Sequence, residues 1–116
     1  VGSEIAPFFS TNNEISKKLV ELGEKHKDYV WPLPFFDGYN KQLKSPIADL
    51  INAPYSPPTA GAITAGLFLK KFVDNAKEFL HFDIYAWQNF SEPGKPKGGK
   101  MQSVRALIEF LASYQK

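Results

Sequence analysis

The chain has 116 residues and a mass of 13.0 kDa, which fits one domain or part of one and excludes two catalytic domains. Hydrophobic residues make up 43% and charged residues 22%, with 10 Phe, 5 Tyr and 2 Trp, a globular composition that can bury a core and is incompatible with disorder. Fourteen basic against twelve acidic side chains leave a formal charge of +2, too little for a dedicated nucleic-acid binder. The absence of cysteine excludes disulfides, thiolate catalysis and cysteine-ligated zinc, and leaves the redox compartment open.

The opening V-G-S-E-I-A-P-F-F has neither the basic start nor the apolar stretch of a signal peptide, and no initiating methionine, so a processed chain or a piece of a longer one is expected. Thr11-Asn12-Asn13-Glu14 reads as a capping box for a helix in which Ile15, Leu19 and Leu22 share one face, ending between Gly23 and Lys27. A strand is expected over Asp28–Trp31. Pro32 and Pro34 then forbid helix, and Asp37 caps a short one to Lys44 with Tyr39 and Leu43 on one face. Ala48–Asn52 reads as a second strand. Thr59 is positioned to cap a helix to about Val73 that is small or apolar on nearly every face, hence buried in close contact with a sheet. Its run Ala60–Leu69 is too short to cross a bilayer.

Phe79–Ala86 alternates with aromatics on both faces, as a strand covered on each side by helices would. The Pro and Gly of Glu92–Lys100 predict a mobile loop, and Met101 to the end keeps helical spacing, with Gln102, Arg105, Glu109 and Lys116 on its polar face. The architecture is therefore α/β. Strands buried on both faces belong to larger sheets, so three strands imply missing sequence.

Among residues able to carry chemistry, His81 and Asp83 share one face of a strand, and an imidazole beside a carboxylate can bind a divalent metal. A catalytic metal wants about three protein ligands, however, and the other histidine, His26, lies at a helix end suited to solvent. A hydrogen-bonded pair inside the sheet is the preferred reading. Asp49 is weighed as a general base against an acceptor of turn N–H groups, and the second is preferred. Ser45, Ser56 and Ser91 have no histidine partner in sequence context. Gly61 and Gly66 fit neither phosphate-loop pattern and are better explained by close helix packing. Trp31 and Trp87 are read as core rather than binding platforms.

Six stretches in order complete the reading: V-W-P-L-P at 30–34, Y-N-K-Q-L at 39–43, K-S-P-I-A-D-L at 44–50, A-G-A-I-T-A-G-L-F-L at 60–69, H-F-D-I-Y-A-W at 81–87 and R-A-L-I-E-F-L at 105–111. Together they resemble the C-terminal stretch of the leucyl (cytosol) aminopeptidases. That resemblance implies part of a three-layer α/β/α domain with a central mixed sheet, incomplete in this chain. It also implies a cytosolic homo-hexameric exopeptidase that removes leucine-type N-terminal residues from peptides with two zinc or manganese ions and an activated water. Neither nucleic acid nor membrane is among the implied partners.

The family's N-T-D-A-E-G-R segment and its lysine motif occur nowhere in the 116 residues. The resemblance therefore assigns no catalytic residue and no metal ligand here. It leaves substrate-pocket walls at Ala53, Tyr85 and Gln88, beyond the carboxyl ends of the expected strands. Many relatives have Ala-Gly where this chain has Tyr85-Ala86, and a bulkier residue with glycine at Ala53-Pro54. The competing reading is a stand-alone non-enzymatic module that binds a protein through exposed sheet or the 92–100 loop.

Overall fold

The computed structural model describes residues 2–53 and 59–114. Val1, Pro54, Ser56 and Lys116, singled out above, lie outside the described residues. Strand β1 (Ala6–Ser10) is followed by helix α1 (Asn13–Lys25), strand β2 (Val30–Pro32) and a 3-10 helix (Asp37–Leu43). Helix α2 (Gly61–Lys70), strands β3 (Leu80–Phe82), β4 (Trp87–Gln88) and β5 (Gly98–Gly99) and helix α3 (Val104–Ser113) complete the order.

Strand β1 is the centre of a mixed three-stranded sheet ordered β2-β1-β3, parallel to β2 and antiparallel to β3. Its alternation divides the molecule into layers. Ala6 and Phe8 pack with Ile15, Leu19 and Leu22 of α1, Val30 of β2 and Phe110 of α3. Phe9 points to the opposite face, where its ring meets Phe35 and His81 and lies close to Gly66 of α2. Helices thus cover both faces of a mixed sheet, as expected. β1 itself was not anticipated, because A-P-F-F-S is apolar on both faces and shows no period-2 contrast.

Several boundaries move for identifiable reasons. Asn12, not Thr11, caps α1: its side-chain oxygen accepts the N–H groups of Glu14 and Ile15, while the Thr11 hydroxyl accepts the Phe79 N–H at 2.9 Å. The 3-10 helix starts after Phe36 without a side-chain cap, and the Asp37 carboxylate accepts from the Asn40 amide instead. The strand expected over Ala48–Asn52 does not form. Ser45 Oγ accepts the N–H groups of Ile47 and Ala48 and turns the backbone, leaving Ile47 90% exposed.

Helix α2 begins after Ala60, whose φ of 66° takes it out of the helix, so Thr59 does not cap it. It buries one stripe, Thr64, Gly66 and Leu67, while Leu69 and Phe72 stay exposed. β3 covers only Leu80–Phe82 of the expected Phe79–Ala86, since its pairing with β1 runs out at the bond from Asp83 N–H to the Pro7 carbonyl, and Ala86, at φ 56°, turns the chain further on. The 92–100 stretch is not an irregular loop. Residues 87–88 and 98–99 pair as antiparallel strands, and Glu92 and Lys95 exchange backbone hydrogen bonds across Pro93-Gly94. Proline second and a glycine of φ 73° third are the residues that a type II turn requires.

Candidate functional site

Tyr85 follows β3, and because β3 runs against β1 it stands at the end of the sheet where β1 and β2 begin. There a cleft of about 560 Å³ is lined by Pro7, Leu33, Ala62, Asp83, Ile84 and Tyr85 among others. The Tyr85 ring is half exposed and its hydroxyl is 3.2 Å from Asn89 Oδ1. Gln88 lies on β4 with its amide donating to the Phe90 carbonyl at 2.9 Å. Ala53 is exposed and follows a run of bends rather than a strand. The first turn of α2 stands between these positions: Gly61 borders a groove of about 260 Å³ with Asn52 and Leu43, and Ala62 borders the Tyr85 cleft.

The path into this region is fixed by two buried side chains. Gln102 accepts the Ala86 N–H on Oε1 and donates from Nε2 to the Ser3 carbonyl, both at 2.7 Å, tying the turn after β3 to the start of β1. Asp28 is 6% exposed and caps α3 from across the fold: Oδ1 accepts the Ser103 N–H at 2.9 Å, and Oδ2 accepts those of Arg105 and Ala106 at 2.8 and 3.2 Å. Sequence reading placed Asp28 in a strand and Gln102 on a solvated face. Their partners lie 75 or more residues and 16 or more residues away respectively, so local pattern carries no signal of either role.

Beside Asp28 a second cleft, of about 520 Å³, is lined by Lys27, Lys95, Lys100 and Arg105 with Glu4 as counter-charge. Lys100 holds Glu4 at 2.6 Å, and its hydrogen bond and charge keep the Glu4 carboxyl below the ordinary carboxylate value.

His81 and Asp83 are not the hydrogen-bonded pair expected. The imidazole stacks on Phe9 with centroids 5.8 Å apart, and its Nε2 is buried with no hydrogen-bond partner. Burial pushes the imidazole below the usual histidine range, and the Asp83 charge only partly opposes this. His26 Nε2 is 3.9 Å from Glu109, joining the end of α1 to α3. Asp49 is exposed in the bend closed by Ser45, and Ser91 Oγ accepts the Lys97 N–H. Trp31 and Trp87, expected in the core, are 55% and 47% exposed.

Among the described residues no three or more His, Asp or Glu side chains converge as a metal site would require. The His81 ring lies against Phe9 and beside Gly66 of α2. No helix of the described residues is long and apolar enough to cross a membrane.

Residues 1–108 match the model of the cytosol aminopeptidase family, catalytic domain. The probable cytosol aminopeptidase of Caulobacter vibrioides is 42% identical over 115 residues, covering 97% of this chain and 23% of the relative. The crystal structure of a cytosol aminopeptidase from Coxiella burnetii superposes with a TM-score of 0.88 at 36% identity, over 99% of this chain and 25% of that one. The bottromycin maturation enzyme BotP, solved in complex with Mn, superposes with a TM-score of 0.86 at 26% identity, over 97% and 25%. The chain thus spans about a quarter of the length of the proteins it matches.

Proposed function

Because the chain belongs to the cytosol aminopeptidase family and carries part of its catalytic domain, we propose that it works as a portion of a metal-dependent leucyl aminopeptidase. Within that enzyme it supplies scaffold and walls of the substrate pocket, and the two divalent metals, manganese or zinc, are held by residues outside 1–116. The observation that carries this reading is the family match over residues 1–108, in a chain that spans about a quarter of the length of its relatives. The resemblance drawn from the sequence supports the finer points: a cytoplasmic homo-hexamer acting on peptides with leucine-type N-terminal residues.

Ala53, Tyr85 and Gln88 are the proposed pocket walls. Their contribution is steric. Tyr85 offers an exposed ring beside the cleft, and Ala53 offers an exposed methyl group next to Asn52, which lines the groove bordered by Gly61. Gln88 sits on β4 with its amide donating to the Phe90 carbonyl. Differences of one or two methylenes in such a wall shift selectivity by roughly tenfold.

The test places residues 1–116 in the Caulobacter vibrioides relative in exchange for the stretch they match, and assays L-leucine p-nitroanilide with manganese. Turnover is expected, and Tyr85→Ala should change kcat/KM for leucyl relative to alanyl substrates about tenfold while Ser113→Ala leaves the ratio unchanged. A folded chimera without activity would refute the reading. An unaltered ratio with Tyr85→Ala would remove Tyr85 from the pocket.

A further inference from the structure

The turn after β3 does not hold itself. Ala86 stands at a φ of 56°, a left-handed conformation that is costly for a residue with a Cβ. Residues 100–102 grip it from both sides: Lys100 N–H donates to the Ala86 carbonyl at 2.9 Å, and the Ala86 N–H donates to Gln102 Oε1 at 2.7 Å. Tyr85 comes immediately before this grip and β4 immediately after it, so the course of the turn decides where the Tyr85 ring stands.

The same amide reaches a second segment, since Gln102 Nε2 donates to the Ser3 carbonyl at 2.7 Å. Ser3 and Tyr85 both line the cleft of about 560 Å³, whereas Gln102 lines the other cleft, with Asp28 and Lys100. One side chain thus joins two walls of the Tyr85 cleft from outside it. Lys100 reinforces the join, because its ammonium pairs with Glu4, the neighbour of Ser3, at 2.6 Å.

The join calls for an amide. The groups to be tied are an N–H and a carbonyl, and a carboxamide offers an acceptor and a donor side by side at one tip. A carboxylate only accepts, an ammonium only donates, and asparagine is one methylene shorter. Gln102 is 4% exposed, so both bonds are shielded from competing water. Helix α3, which follows, is anchored separately by the Asp28 carboxylate and by buried Ala106 and Phe110. The side-chain bonds of Gln102 go to the two cleft walls.

We infer that Gln102 is a positioning residue for substrate selectivity: it fixes the separation of Ser3 and Tyr85, and with it the size of the substrate side chain that the cleft admits. This rests on the function proposed above, in which Tyr85 is a wall of the substrate pocket.

The Caulobacter chimera provides the test. Gln102→Met keeps the length of the side chain and removes both bonds. It should change kcat/KM for leucyl relative to alanyl p-nitroanilides about fivefold, and the Ala86 amide should exchange with solvent roughly 100-fold faster. In a Tyr85→Ala background the same substitution should have little effect on the ratio, because Gln102 acts through the Tyr85 wall; a residue that only stabilises the fold would act equally in both backgrounds. Gln102→Glu keeps the acceptor for Ala86 and loses the donor to Ser3, so the Ala86 amide should stay protected while the ratio shifts by a smaller factor, about twofold. This variant also decides the matter if Gln102→Met does not fold. An unchanged ratio in the folded Gln102 variants, or equal shifts with and without Tyr85, overturns the inference and leaves the activity reading standing. A folded chimera without turnover would instead sink the activity reading, and the selectivity role with it.

Discussion

Asp28 shows how much one buried carboxylate organises. Both of its oxygens are spent on the first N–H groups of α3, which has no cap of its own because Ser103 sits at φ 63°. Asp28→Ala leaves those buried donors without acceptors and should cost about 2–3 kcal/mol in urea unfolding, with Asp28→Asn, which keeps one acceptor oxygen, losing less. Ala86 pays the opposite kind of cost. It holds a left-handed φ of 56° where related sequences, by the resemblance drawn above, have glycine, so Ala86→Gly should stabilise by about 0.5–1 kcal/mol in the same assay. His81 sets a pH dependence. The folded chain binds its proton less readily than the unfolded chain, so stability is complete above the ordinary histidine value of 6.5 and declines as pH falls below it. Melting between about pH 7.5 and about pH 5.5 should show this slope, and His81→Gln should flatten it. Of these three residues His81 stands out in the sequence by its place on a strand face and Ala86 through the resemblance, whereas the Asp28 role depends on residues 75 or more positions along the chain.

Where a local pattern carries the physics, the elements were legible. α1 follows from Ile15, Leu19 and Leu22, one clear apolar stripe, whereas α3 is legible as a helix from the spacing of Met101, Val104, Leu107, Ile108, Leu111 and Tyr114 but buries Ala106 and Phe110 instead, leaving Met101, Ile108 and Leu111 exposed. Glycine packing in α2 was legible in part. A methyl group at Gly66 would sit 3.2 Å from both His81 and Phe35, whereas Gly61 faces open space. Gly66→Val should therefore cost about 2 kcal/mol or more in thermal or chemical unfolding, and Gly61→Ala should be tolerated. The errors fall where a residue type has two uses. Pro93-Gly94 breaks helices and also builds the turn that joins β4 to β5, and the apolar Ala48–Asn52 yields to Ser45 side-chain bonds that cost the chain a strand. Of the residues the resemblance proposes as pocket walls, Tyr85 follows β3 and precedes Ala86, which Gln102 holds, and Ala53 lies in a bend rather than at a strand end.

At the scale of the whole molecule the chain is a slab of 50 × 40 × 17 Å with a radius of gyration of 16.0 Å, where about 13.4 Å is typical for its length. Exposed Trp31, Phe72, Phe90, Ile108 and Leu111 lie on a body whose buried core is confined to β1 and what touches it. Such a surface fits a layer of a larger domain. On the function proposed above, this layer contributes shape to an aminopeptidase and leaves the metal chemistry to residues elsewhere. Turnover of L-leucine p-nitroanilide by the purified 116-residue chain with added manganese, read together with bound metal after dialysis, decides the matter. No hydrolysis above buffer and no retained metal are expected. Sustained turnover with manganese held by the chain would overturn the proposed function.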